Sequence, residues 1–90
     1  MIANTAAYHF TPVADPDALC ATLLERATAA QLRGTILVAG EGINLFLAGA
    51  EPQIDGFYAA LRADARFAGL RVKTSYSQMQ PFARLKAKVK

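Results

Sequence analysis

The sequence predicts an α+β domain in which one antiparallel sheet carries two helices on one face. Three observations support this. Apolar residues recur at helical spacing over Leu19–Ala30 and again over Ile54–Leu61. Between them, Gly34–Gly49 reads GTILVAGEGINLFLAG, two short apolar segments joined by a glycine-rich turn. Extended stretches stand before the first helix and after the second.

The first strand is expected over residues 6–13, where Tyr8, Phe10 and Val13 lie in an extended stretch. Asp15-Pro16-Asp17 then starts a helix. Asp15 can cap free amides with its carboxylate, Pro16 suits the first helical position, and Asp17 complements the helix dipole. Leu19, Cys20, Leu23, Leu24, Ala27 and Ala30 form the apolar stripe. This helix should run to about Leu32, with Gly34 just past its end. In the hairpin, Thr35–Val38 and Leu45–Leu47 are strands. Gly40-Glu41-Gly42-Ile43-Asn44 is a five-residue turn, whose two glycines supply angles that other residues resist.

Glu51-Pro52 opens the second helix, with Ile54, Phe57, Tyr58 and Leu61 on its apolar side. Gly56 weakens that helix by roughly 1 kcal/mol relative to alanine. Leu70–Thr74 alternates apolar and basic, a half-buried strand, and residues 75–81 read as a polar loop. From Arg84 to Lys90 the alternation is strict. Arg84, Lys86, Lys88 and Lys90 share one face, and Leu85, Ala87 and Val89 the other. Strand, helix, strand, strand, helix, strand, plus a basic terminal strand, is the split βαβ plan. That is the ferredoxin-like, acylphosphatase-like sandwich. The last strand runs to the chain end with no turn or polar tail, so we expect the domain to belong to a longer protein.

Ninety residues with 53% hydrophobic content make one small domain with a real core. No apolar run approaches the roughly 20 residues that span a bilayer. The N-terminus lacks the basic start and long apolar stretch of a signal peptide. The single cysteine, Cys20, fits a reducing cytoplasm, and its leucine neighbours mark it as a small buried hydrophobe. Charge is unevenly spread. Residues 1–65 hold three arginines against seven acids, a net of −4; residues 66–90 hold seven cations and no acid. An acid-free end can attract phosphate backbones; the plainer reading is a solvated strand that guards a sheet edge.

Catalytic and metal chemistry find little support. His9 and Cys20 lie on different elements, without the clustered spacing of zinc sites. His9 reads as a strand residue with a satisfied hydrogen bond. No catalytic, cofactor-binding or metal-binding residue is assigned. Gly40-Glu41-Gly42 joins two strands, lacks the Gly-Lys-Ser/Thr ending, and would set Glu41 against a phosphate, so it is not a phosphate loop. An acylphosphatase needs an arginine in the loop after the first strand and an asparagine on a central strand. Asn44 could fill the second role, but no arginine lies between Met1 and Asp17. The better binding candidate is the basic end, where Tyr76 and Phe82 accompany Arg84, Lys86, Lys88 and Lys90. No RNP-type aromatic pair is recognised on the central strands, so sequence-specific base reading is not indicated and salt-dependent backbone affinity is the expectation.

Three segments carry a family resemblance: Gly34–Gly49, Leu61–Ser77 and Gln80–Lys90. They resemble the N-terminal domain of the rhodanese-related tRNA uridine hydroxylases, through Gly34-Thr35, then Glu41, Gly42, Ile43, Asn44 and Gly49, then Gln80-Pro81-Phe82 before the basic strand. Gly40 replaces a proline common in that family, and Leu45-Phe46 replace a glycine and a small residue. The resemblance implies an accessory domain, inactive alone, followed in cis by a rhodanese domain that holds the reactive cysteine. The whole enzyme would hydroxylate the wobble uridine of tRNA in the cytoplasm, with no membrane partner. The tRNA contacts are expected at Arg71, Lys73, Arg84, Lys86 and Lys88, which lie in the acid-free end, with Lys73 and the terminal lysines on strand faces free of apolar residues. Two alternatives from other classes are a small-molecule-sensing or oligomerisation module and, less well supported, an acylphosphatase-like hydrolase.

Overall fold

Backbone pairing decides where the strands lie, and it extends the first one beyond what local propensity suggests. The computed structural model describes residues 1–90. Strand β1 runs Ile2–Phe10, not 6–13. Its early residues Ala3 and Asn4 are weak strand formers, but β1 is paired on both sides, which overrides propensity. It stops at Phe10 because Pro12 has no amide to donate and the amides beside it turn elsewhere. Thr11 N donates to Glu41 O at 3.0 Å, and Val13 N to Gly40 O at 2.8 Å.

Helix α1 spans Pro16–Ala29. The expected side-chain cap is absent, because the Asp15 carboxylate pairs with Arg66 Nη1 at 2.7 Å instead. The helix ends earlier than expected, with Gln31 rather than a glycine in the left-handed region at φ 58°. Leu32 N donates to Ala27 O at 2.9 Å and Gln31 N to Thr28 O at 3.0 Å, the paired bonds of a Schellman close. Gly34 therefore belongs to β2, Arg33–Ala39. Strand β3 is Gly42–Gly49, so the expected five-residue turn shrinks to Gly40-Glu41, with Ile43 and Asn44 inside the strand. Of the two turn glycines, only Gly42 has a positive φ, 151°; a Cβ there would lie 2.2 Å from His9 O. Gly34, at φ 134°, approaches β3 as closely: a Cβ would lie 1.8 Å from Phe46 O.

Helix α2, Glu51–Arg62, begins at the Glu-Pro pair as expected. A short 3-10 turn, Ala65–Phe67, leads to β4, Arg71–Ser77, so residues 75–77 are strand rather than loop. Strand β5 is Leu85–Val89. The sheet order is β4-β1-β3-β2-β5, with β5 parallel to β2 and the other pairs antiparallel. The first four strands have the ferredoxin-like order, and β5 adds a fifth at one edge. Both helices supply buried residues to a core of 19 residues, which includes Leu23, Ala27, Ile36, Leu45, Leu47, Phe57, Leu61 and Phe67. Thr5 is the one buried polar residue. Its hydroxyl donates to Leu47 O at 2.8 Å and lies 2.8 Å from the Tyr58 hydroxyl, tying sheet to helix.

Candidate nucleic-acid interface

Strand alternation sends every second side chain away from the helices, and the register shows what collects there. On β1 the odd residues Ala3, Thr5 and Ala7 are buried, so Asn4, Ala6, Tyr8 and Phe10 face out. On β3, Leu45 and Leu47 are buried, and Asn44 and Phe46 face out. Pairing then defines rows across the bare face. One row runs Lys73–Ala6–Phe46–Thr35–Lys86. The next runs Arg71–Tyr8–Asn44–Leu37–Lys88. Each row has a cation at both ends; between them stand Ala6, Phe46 and Thr35 in the first and Tyr8, Asn44 and the aliphatic Leu37 in the second. The end strands are four strand spacings apart, about 19 Å.

Of the five cations expected to meet RNA, Arg71, Lys73, Lys86 and Lys88 therefore share this one face and are exposed. Arg84 stands just before β5, where its carbonyl accepts from Gly34 N at 3.0 Å. It lines a hollow with Phe82, Thr35 and Lys86. In the turn motif, Glu41 is exposed at the tip, Gly42 makes the close approach to β1, Ile43 is buried in the core, and Asn44 faces out beside Tyr8.

Several site residues escaped the sequence reading. Arg33 pairs with Ala48 and adds a cation to the bare face. Tyr8 and Phe10 on β1 and Phe46 on β3 are exposed aromatics on the central strands, 63%, 76% and 43% accessible. No RNP-type aromatic pair is expected on the central strands, yet three exposed rings stand there. The strand faces of Lys73, Lys86 and Lys88 are free of apolar side chains as expected, but the neighbouring strands bring Tyr8, Phe46 and Leu37 to the same sheet face. The available signal was Asn44, a polar residue two positions before Phe46 and therefore on the same strand face. Tyr76 moves the other way. It alternates with Lys73 and Ser75 onto the helix side, where its hydroxyl donates to Glu51 Oε2. That bond, with the Glu51 charge, raises the Tyr76 pKa.

The charge layout is one-sided. None of the seven acids lies on a strand; they stand on helices, at their starts, or at the Glu41 turn. Both ion pairs use Arg66, which meets Asp15 at 2.7 Å and Asp64 at 2.8 Å. The hydrogen bonds from Arg66 hold the Asp64 carboxyl below its ordinary pKa. The bare-face cations have no carboxylate partner, so they are available to an external anion.

Two hollows lie on this face. One, of about 520 Å³, is lined by Tyr8, His9, Asn44, Arg71 and Lys73 among others; the second, about 470 Å³, by Asn4, Ser75, Pro81 and Phe82 among others. Phe46, Ala6 and Lys73 line both. The segment between β4 and β5 closes the far end, where Gln80 Nε2 donates to Ala48 O at 3.0 Å.

Other candidate chemistry disperses. The His9 ring meets Phe67 edge-on at 6.0 Å in place of the expected hydrogen bond. Cys20 is buried in the core, and that burial raises its thiol pKa. The Thr11 and Val13 amides that could cradle a phosphate are bonded to the β2–β3 turn.

Comparison with known proteins agrees with this architecture. The family description UPF0176 acylphosphatase-like domain matches residues 2–90. The chain is 64% identical over 90 residues to the tRNA uridine(34) hydroxylase of Xanthomonas campestris pv. campestris (strain B100). It is 52% identical to that of Xylella fastidiosa (strain M23). All of this chain is covered in both, but only 36% and 35% of those relatives. Among solved structures, acylphosphatase from Bacillus subtilis superposes with a TM-score of 0.74 at 14% identity, covering 98% of this chain and 99% of that one. The BLUF protein BlrB gives 0.78 at 15% identity, covering 98% and 72%. At such identities these structures establish the fold alone.

Proposed function

The chain belongs to the UPF0176 acylphosphatase-like domain family, and from that premise we propose that it is the accessory, tRNA-holding module of a tRNA uridine(34) hydroxylase. The chain spans about a third of the length of the curated relatives it matches. The hydroxylation, which acts on the wobble uridine in the cytoplasm, is the work of the rest of such a protein. There a rhodanese domain in cis carries the reactive cysteine. This domain contributes affinity and orientation, not chemistry.

One observation carries the reading. Five cations, Arg33, Arg71, Lys73, Lys86 and Lys88, sit on a sheet face that has no carboxylate and no covering helix. A surface of that kind recruits polyanions through counterion release. Edge guarding accounts for cations on the two edge strands β4 and β5, but not for Arg33 on the inner strand β2 nor for the exposed rings between the rims.

The test is tRNA affinity of the whole gene product across a salt series, with Lys86→Glu and Lys88→Glu combined. Loss of two phosphate contacts lowers the slope of log affinity against log salt by about 1.5. Affinity and slope equal to wild type would instead favour docking of this face on the catalytic domain.

A further inference from the structure

We infer that the bare sheet face takes unpaired RNA bases, stacked on Phe46 and Tyr8, while the rim cations hold the phosphates beside them. This deepens the tRNA-holding reading and rests on it. Cations alone would serve duplex and single strand alike; the aromatic placement distinguishes them.

Phe46 stands in the centre of the sheet and is 43% exposed, although its strand neighbours Leu45 and Leu47 are fully buried. Its row partners on either side are Ala6 and Thr35, too small to cover the ring. It borders both hollows of the face, so space lies on each side of it. Tyr8 lies one register step away on the adjacent strand, 63% exposed, with Phe10 edge-on at 5.7 Å. Leaving large aromatic rings in water on a central strand forgoes burial that the fold could have used. A partner with flat apolar faces recovers it. Nucleic acid bases have such faces, but in a duplex they are stacked on one another and out of reach. Unpaired nucleotides present them. The occupant must also be anionic, since Lys73 and Lys86 end the row through Phe46, and Arg71 and Lys88 the row through Tyr8. An acidic protein surface would satisfy the cations but leave the rings without a stacking partner.

The experiment compares labelled single-stranded RNA with the matching duplex, bound to the whole gene product. Phe46→Leu should lose about tenfold in affinity for the single strand and little for the duplex, with an unchanged salt slope. Tyr8→Leu should behave likewise. Phe46→Tyr, which keeps a ring, should restore single-strand binding and guards against a merely structural effect. If both leucine variants bind single strands like wild type while the Lys86→Glu/Lys88→Glu variant does not, stacking is wrong and the cationic reading stands. If wild type binds neither RNA form, both readings fail.

Discussion

Leu45 and Phe46 are consecutive on β3, yet the first is fully buried beneath the helices while the second stands exposed on the bare face. The same contrast runs across the sheet. Its helix-covered side is a continuous apolar core with one polar residue, Thr5, whose hydroxyl is fully partnered. Its other side mixes unpaired cations with exposed rings. A core face is understood through what it excludes from water. The bare face is understood through what it leaves unsatisfied, and the unsatisfied groups describe the partner.

The largest effect that separates the faces is on stability. Leu45→Ala should cost about 2–5 kcal/mol by cavity formation, whereas Phe46→Leu one position on should cost less than about 1 kcal/mol. Denaturant melts of the two variants check this. Equal losses would mean that Phe46 is part of the core and would remove the distinction.

The hairpin that aligns the faces comes next. Gly42→Ala places a Cβ against His9 O at a φ of 151°, so about 2–4 kcal/mol should be lost through strain and overpacking. Gly40→Ala should stay within about 0.5 kcal/mol, since the nearest atom to a Cβ there is Val13 O at 4.0 Å. Unfolding midpoints of the two variants should differ accordingly.

A smaller effect reads the contact between helix and sheet. Burial raises the Tyr58 phenol above its ordinary pKa, partly opposed by the Thr5 hydrogen bond and the Arg62 charge. Above about pH 10 an unfolded tyrosine sheds its proton while the folded one keeps it. Stability should therefore be full below that pH and fall as pH rises through the folded pKa. Tyr58→Phe should flatten that alkaline decline in melts taken at stepped pH.

The smallest effect lies on the helices' outer surface. A Cβ at Gly56 meets nothing within 4 Å. Gly56→Ala should stabilise by about 0.5–1 kcal/mol, measured as a raised melting temperature, with RNA affinity unchanged.

Much of the fold was legible because its signals are local. Asp-Pro and Glu-Pro mark both helix starts, helical periodicity gives their buried stripes, and strict alternation places Lys86 and Lys88 opposite Leu85 and Ala87. Other features depend on contacts distant in sequence. The extension of β1 to Ile2 needs partners more than 40 residues away. The Asp15 carboxylate went to Arg66, 51 positions on, instead of capping α1. The bare face was half legible. Its cations show in composition, but on β3 the outward face of Asn44, Phe46 and Ala48 carries Asn44 as its one polar mark, so GINLFLAG alone signals the exposure of Phe46 only weakly.

The central claim is that tRNA meets the sheet face and not the helices, and amide and methyl NMR shifts during a tRNA titration test it most directly. The account predicts perturbations at Ala6, Tyr8, Asn44, Phe46, Lys73 and Lys86, which share the bare face. Glu25 on α1 and Asp55 on α2 should stay still. Perturbations confined to the helices, or none anywhere at saturating tRNA, would contradict it.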